Sequence, residues 1–350
     1  MIRFECDYAE GAHEQVLRRL IQTNLEQTPG YGEDRYCDQA RRYIRDLCRQ
    51  EDLDVHFLVG GTQTNAAVIA AGLRPWQGVI AASTGHISVH ETGAVEAGGH
   101  KVLTVPGGNG KLTADDIRSV WEGHWNDVTH EHMVQPGMVY LSQPTENGTL
   151  YSLEELEEIR ETCLACGLLL YIDGARLGYG LASPRCDMDL PDLARLCDAF
   201  TIGGTKQGLL FGEALVLSHP MLRRDFRYLI KQRGGLLAKG RLLGVQYCAI
   251  LEDDLYFRLS RRADELALLL RQAFEERGCP MLYDSFTNQQ YPILPDRVLD
   301  RLEEDFAFSY WSRIDSAHTA VRVCTSWATE EGAVRELIRT LDHWTKQLQE

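Results

Sequence analysis

The chain has 350 residues, 44% of them hydrophobic and 25% charged, which are the proportions of a globular protein with one large domain and a smaller one. Its 51 acidic and 36 basic side chains leave a net charge of −15, which repels phosphate backbones and argues against nucleic-acid binding. No stretch approaches the apolar length of a membrane span, and the start, Met1 to Asp7, lacks a basic-then-apolar leader pattern, so a cytoplasmic protein with no membrane partner is expected.

The first thirty residues read as an arm. It holds a helix over about His13–Asn24, which either packs against a partner subunit or is a simple surface helix. Strand-like and helix-like runs then alternate up to residue 217. The strands are expected at Val55–Val59, Val79–Ala82, Lys101–Val105, Met138–Leu141, Leu168–Ile172, Ala199–Ile202 and Ala214–Leu217. Several are apolar on both faces, as a covered sheet requires. Helices are expected at Thr62–Gly72, Thr113–Glu122, Ser152–Gly167 and Leu190–Leu196; Thr113-Ala-Asp-Asp and Ser152-Leu-Glu-Glu are capping signatures. This alternation implies a mostly parallel α/β sheet. The last two strands are too close in sequence for a helical crossover, so one of them should be antiparallel.

Ligands in such sheets bind beyond the carboxyl ends of the strands. After the first strand comes Gly60-Gly-Thr-Gln-Thr-Asn65, opening a helix at about Ala66. Its glycines, Thr62, Thr64 and a helix N-terminus could cradle a phosphate, or merely cap the helix. After the second strand, His86 can stack on a flat ring. His86, His90 and Glu91 make an HxxxHE that matches no zinc motif, and His90-Glu91 reads as a first helical turn. Gly107-Gly-Asn-Gly-Lys111 lacks the Ser or Thr of a P-loop and reads as a turn. Cys163 and Cys166 form a CxxC with no second pair and no fitting histidines, so the ten cysteines are expected to be free thiols in a reducing compartment, with no metal.

Asp173 ends the fifth strand, and Arg176 follows it. Lys206 sits after the sixth, in Thr201-Ile-Gly-Gly-Thr-Lys-Gln-Gly208, where Thr205 could reach a phosphate oxygen. Most lysines are solvated, and most strand-end aspartates cap the next helix. Together, however, a lysine able to form a Schiff base and an aspartate able to hold a pyridine nitrogen protonated are what pyridoxal phosphate needs. A long helical region follows from about Pro220 to Gly278, interrupted at Gly234-Gly235. In Thr319–Trp327, Arg322 lies in a strand-like segment, either as an edge charge or as a carboxylate clamp. The tail Thr329–Gln349 is amphipathic through Val334, Leu337, Ile338, Leu341, Trp344 and Leu348.

At these residues the chain resembles the threonine aldolase group of the β-eliminating lyase family, within fold-type I pyridoxal-phosphate enzymes. The resemblance runs from about Phe4 to the C-terminus. Its most specific pieces are Tyr31-Gly-Glu-Asp34, Gly60–Asn65, His86 with Glu91, Ile172–Arg176, Gly203–Gly208 with Gly212-Glu-Ala214, and Arg322. It implies an aspartate-aminotransferase-like large domain with a mostly parallel seven-stranded sheet and a small C-terminal α+β domain. The expected division is 1–30 arm, 31–245 large domain and 246–350 small domain. It also implies that Lys206 carries the cofactor, Asp173 pairs with the ring nitrogen, Arg176 lies near the ring, His86 stacks on it, and Gly61, Thr62 and Thr205 lie at the phosphate. Arg322 would hold the substrate carboxylate, and His132 or His86 would take the hydroxyl proton. Cys6 and Asp7 stand where relatives have a substrate-holding serine followed by aspartate. The implied reaction is retro-aldol cleavage of an L-threonine- or L-allo-threonine-like amino acid to glycine and an aldehyde, by a homodimer or homotetramer. The alternative is β-elimination or transamination with the same cofactor. The lysine region departs from the family's usual Ser-Lys-Gly-Leu.

Overall fold

Strand segments with side chains buried on both faces dominate the middle of the chain, and they assemble into one large sheet. The structure is a computed structural model and describes residues 1–347. The strands in chain order are β1 (Ile2–Arg3), β2 (Asp54–Leu58), β3 (Gln77–Ala82), β4 (Lys101–Val105), β5 (Gln135–Ser142), β6 (Leu169–Asp173), β7 (Ala199–Gly203) and β8 (Glu213–Leu217), followed by β9 (Gln289–Gln290), β10 (Ile293–Pro295), β11 (Phe306–Ala307), β12 (Ser309–Arg313) and β13 (His318–Cys324). Seven form the main sheet, in the order β2-β8-β7-β6-β5-β3-β4. Only β8 runs against its neighbours, pairing antiparallel with both β2 and β7. The carboxyl ends of the other six strands therefore lie along one edge, together with the first residue of β8.

The alternation of side chains sorts the core into two layers. Val139, Leu141, Leu170, Ile172, Phe200 and Ile202 pack on one face, and Met138, Tyr140, Leu169, Tyr171 and Leu215 on the other. Each such fully buried large side chain is worth about 1.5–3 kcal/mol. A third core near the C-terminus gathers Leu270, Phe274, Leu299, Val321 and Leu337 around the antiparallel strands β10, β13 and β12, and Phe4 belongs to it. The chain's first residues are thus held within the chain itself: Ile2 and Arg3 pair in parallel with Phe306 and Ala307.

The helices start where the caps predict. Thr113 with Asp116 and Ser152 with Glu155 form reciprocal capping boxes. Gly167 closes the second of these helices at φ 66°. Three expectations need correction. The helix after β2 begins at Gly61, one residue ahead of the expected Thr62–Gly72, so Gly61–Asn65 is helix rather than a loop leading to Ala66. The region 220–278 is four separate helices, Pro220–Arg223, Phe226–Gln232, Arg241–Leu251 and Leu255–Glu276, broken at left-handed Asp225, Gly234, Asp253 and Asp254 as well as at Gly235. A helix at Arg35–Leu47, capped by Asp34 through the N–H groups of Tyr36 and Cys37, was not foreseen. The C-terminal helix is Glu331–Gln347; Leu348 and Gln349 of the predicted tail lie outside the described residues. Among the described residues, no helix is long and apolar enough to cross a membrane.

Candidate active site

The carboxyl edge of the sheet opens into a cleft of about 780 Å³, lined by Gly60, Gly61, Thr62, His86, Asp173, Arg176, Thr205 and Lys206, together with Ser142, Glu146 and Glu213. Seven of the predicted site residues therefore meet in one place. Asp173 ends β6 and Lys206 follows β7, its neighbour in the sheet. The ends of these strands come together because two glycines permit it. A Cβ on Gly174 would lie 2.0 Å from the Thr201 carbonyl oxygen, and one on Gly203 would lie 2.5 Å from that of Ala175. The lysine turn is fixed by Tyr179, whose hydroxyl donates to the Lys206 carbonyl.

Asp173 is buried and accepts three hydrogen bonds: Asn65 Nδ2 (2.9 Å) and Tyr140 Oη (2.7 Å) to Oδ2, and the Ala175 N–H (2.9 Å) to Oδ1. A carboxylate has about four lone-pair sites, so one is left for a donor in the cleft. Asn65 is a junction. Its amide also donates to Glu91 Oε1 (2.7 Å), and its carbonyl accepts from Tyr171 Oη (2.6 Å). Glu91 is buried and takes His86 Nδ1 at 2.8 Å. This corrects the reading of Glu91 as a dipole charge in a first helical turn. The helix here is His86–Val89, and Glu91 follows it, orienting the imidazole.

The helix Gly61–Gly72 points its unpaired first N–H groups into the cleft. A Cβ on Gly60 or Gly61 would meet nothing within 4 Å, so the backbone there borders open space. Thr62 lies beside it. Thr64 does not serve the cup: it is buried and donates to the Gly60 carbonyl. Thr205 lines the cleft, but its hydroxyl is engaged, accepting from the Gly212 N–H (3.0 Å) and donating to Glu213 Oε1 (3.2 Å).

Arg176 is held by Asp7 in a two-pronged pair, Nε to Oδ2 at 2.7 Å and Nη2 to Oδ1 at 3.0 Å. Burial would raise Asp7, but the charges of Arg176 and Lys206 pull its carboxyl down to about 2. Asp7 is thus the anchor of Arg176, and with Asn288 also donating to it (2.9 Å) it is no free ligand for a substrate anion. Cys6 is a partly buried free thiol that does not line the cleft. Arg322 is not a cleft-lining residue either. Its Nη2 donates to the Glu5 carbonyl (3.0 Å), and its buried Nε has no partner. His132 is misplaced in the sequence reading. It sits, exposed, in the turn His130–His132 before β5, at the amino end of that strand, whereas the cleft lies at the other end. Eight strand residues at about 3.3 Å each put it roughly 26 Å from Ser142, out of reach of this chain's cleft.

Two acids went unforeseen. Glu213 reaches the cleft because β8 runs backwards, bringing its first residue to the carboxyl edge. Burial raises its carboxyl to about 8, Lys206 opposing and Asp173 adding to the effect. Burial, together with the charge of Arg176, lowers the Lys206 ammonium, which favours the neutral amine. Glu146, in the loop after β5, accepts the His86 N–H (2.8 Å) and the Ser142 hydroxyl (2.6 Å) on the same oxygen.

The family model described as β-eliminating lyase matches residues 7–295. A low specificity L-threonine aldolase of Pseudomonas aeruginosa is 30% identical over 97% of this chain and 96% of its own. A solved threonine aldolase of Leishmania major superposes with a TM-score of 0.96 at 43% identity, over 99% of this chain and all of that one. A histidinol-phosphate aminotransferase of Clostridium acetobutylicum, 12% identical, shares the fold over 99% of this chain and all of its own, with a TM-score of 0.73. The chain belongs to the β-eliminating lyase family.

Proposed function

We propose that this chain is a pyridoxal-phosphate-dependent lyase that cleaves the Cα–Cβ bond of a β-hydroxy-α-amino acid, of the L-threonine or L-allo-threonine type, into glycine and an aldehyde. The observation that carries this reading is the pairing of Lys206 and Asp173 at the ends of adjacent strands in one cleft. The names of its relatives at 30% and 43% identity support the substrate class.

The residues fit the cofactor. Asp173 keeps a vacant lone pair after accepting its three protein donors. Gly60 and Gly61 leave an unfilled cradle at a helix N-terminus, where anions are favoured. Lys206 is pushed toward the neutral amine, the form that attacks a carbonyl. When bound, pyridoxal phosphate supplies a protonated ring that accepts the electron pair released at Cα.

The rest is the work of the side chains. Lys206 would be the amine that holds the cofactor until the substrate amine takes its place. Asp173, kept in place by Asn65, Tyr140 and Ala175, pairs with the ring nitrogen. His86, oriented by Glu91, supplies a flat face against the ring. Gly61, Thr62 and the helix start hold the phosphate, with Thr205 shaping that wall. Arg176, clamped by Asp7, keeps Nη1 without a protein partner and lies near the ring. Arg322 offers its unpaired Nε to the substrate carboxylate when the C-terminal unit closes on the cleft. The expected boundary at 245/246 falls inside the helix Arg241–Leu251, which packs in the core of the large sheet through Tyr247, Cys248 and Ile250, so the unit that moves begins beyond that helix.

A homodimer or homotetramer completes the proposal. The helix Glu14–Thr23 and the residues just after it turn Leu17, Ile21 and Leu25 outward, 40%, 75% and 92% exposed, an apolar row suited to a partner. Sedimentation at assay concentration tests it, and a fully active monomer would remove it. A cytoplasmic location accords with ten free thiols.

The deciding experiment uses wild-type protein and Lys206→Ala. The wild type should show a visible imine band that borohydride abolishes, and should release glycine and acetaldehyde from L-threonine or L-allo-threonine. Lys206→Ala should lack the band. Ammonia and a keto acid as the products, or a reducible imine persisting in Lys206→Ala, would overturn the reading.

A further inference from the structure

Glu146 enters the cleft from the loop that follows β5. Its carboxyl is tied down on one side only: Oε1 accepts both the His86 N–H and the Ser142 hydroxyl, at 2.8 and 2.6 Å. Oε2 has no protein partner, and the residue lines the cleft. The loop itself is anchored by Tyr291, whose hydroxyl donates to the Glu146 carbonyl. The carboxyl is thus aimed, and one oxygen remains for a ligand.

Three other candidates are present. His86 commits Nδ1 to Glu91 and keeps Nε2 free, but in the reading above its ring is the flat face set against the cofactor. Asp173 is saturated but for the lone pair that suits a ring nitrogen. His132 is at the far end of β5. Resting on the retro-aldol reading above, we propose that Glu146 is the catalytic proton carrier of this cleft, taking the β-hydroxyl proton of the substrate on Oε2 and returning a proton to Cα.

The step balances. The substrate O–H bond breaks and its proton passes to Oε2. The electron pair of that bond becomes the second C–O bond of the aldehyde, while the Cα–Cβ pair stays with Cα. Glu146 then gives its proton to Cα, which becomes the methylene of glycine, and the carboxylate is restored. No outside oxidant or co-reactant is needed.

The surroundings suit a group that must both take and give a proton. Asp173, Tyr140, Glu91, His86, Tyr151 and Tyr291 surround it, and Lys206, Arg176 and Glu213 share its cleft. Burial raises the Glu146 carboxyl above the ordinary glutamate value, the Ser142 hydrogen bond opposing and the Asp173 charge adding to the rise. An acid–base group works best when its pKa approaches the working pH. Glu146 and Asp173 also feel each other's charge across the cleft, the charge of Asp173 being one of the causes that raise the Glu146 carboxyl. A change of charge on Glu146 is therefore felt at the residue that faces the cofactor ring.

Glu146→Gln is the telling variant, because glutamine keeps the Oε1 acceptor for His86 and Ser142 and removes only the exchangeable proton. With the holoenzyme, kcat on L-threonine should fall by about 10²–10⁴-fold, while KM and the glycine dissociation constant stay within about twofold. The cofactor band should persist but lose one step of its pH dependence. Infrared difference spectra of cofactor-free protein should contain a protonated-carboxyl stretch that titrates in the wild type and is missing from the variant. Glu146→Asp retains a proton carrier, so it should keep the pH step at reduced kcat; it also stands in if the glutamine variant does not fold. A glutamine variant within about threefold of wild-type kcat, or one that loses KM and kcat together, would assign Glu146 a packing role and overturn the proposal. Wild-type protein that releases no glycine would instead sink the retro-aldol reading beneath it.

Discussion

Asp7→Asn tests how much the Arg176 anchor contributes. Asp7 is wholly buried and accepts three bonds, two from Arg176 and one from Asn288. Its carboxyl is held at about 2 against an ordinary aspartate near 3.8. At about 1.4 kcal/mol per tenfold change, that difference is on the order of 2–3 kcal/mol at neutral pH. The sign follows from a depressed folded-state value. The stabilisation is fully present above the unfolded value near 3.8 and is lost as pH falls from there toward 2. The substitution does more than delete that increment, because it leaves a buried guanidinium without its counter-charge. Breaking one side of a buried pair costs about 3–5 kcal/mol. The asparagine variant should therefore lose ~3–5 kcal/mol in a urea titration at pH 7, and its stability should fall less than the wild type's between pH 4 and pH 2. A loss under about 1 kcal/mol, the range of an exposed pair, would show that water screens the contact and that Asp7 is no anchor.

Two further variants address cofactor and substrate. Asp173→Asn presents an NH2 where Asn65, Tyr140 and Ala175 all donate, so one donor loses its acceptor, at a cost of about 1–3 kcal/mol. Turnover should drop by orders of magnitude with the chain still folded, and near-normal turnover would exclude the ring-nitrogen role. Arg322→Lys should keep the cofactor spectrum but weaken glycine and threonine binding by ~2–5 kcal/mol, roughly 30- to several-thousand-fold, because an ammonium cannot reproduce the planar fork. Unchanged amino-acid binding would make Arg322 an edge charge and turn attention to Arg176.

What the sequence disclosed follows from the range of each signal. The strand Leu169–Asp173 is apolar on both faces and ends in a small-residue turn, so both its burial and its functional end were legible, as they were for β7 and Lys206. The helix Arg35–Leu47 escaped because it buries only Tyr36, Cys37, Ala40 and Ile44 among charged neighbours, too narrow a stripe to stand out. Glu146 lies in the aperiodic loop Gln143–Asn147, where only tertiary packing shows which way a carboxyl faces. Asp7 meets Arg176 across 169 residues, and no local pattern announces such a pair. The distance of His132 from its own chain's cleft was legible. The residue precedes β5, and in a parallel sheet whatever precedes a strand lies at the edge opposite the ligand.

The cleft raises an electrostatic question, since an anionic cofactor must enter a site holding Asp173, Glu146 and Glu213 in a chain of net charge −15. Proton placement answers it. Arg176 cancels Asp7, and burial holds the Glu213 carboxyl well above the ordinary glutamate range, so it stays protonated until the pH approaches that raised value. Below that, Lys206 is spared a neighbouring carboxylate that would stabilise its ammonium, and the lysine is drawn toward the neutral amine. Above it, Glu213 ionises, holds the ammonium and repels the phosphate. Cofactor uptake by the cofactor-free protein should therefore slow as rising pH ionises Glu213. In Glu213→Gln, where no charge can form, that decline should vanish and uptake at lower pH should be at least as fast. Stopped-flow absorbance of the forming imine measures both. Identical pH profiles for the two proteins would show that Glu213 and Lys206 titrate independently, and the cleft would then have to neutralise its acids in some other way.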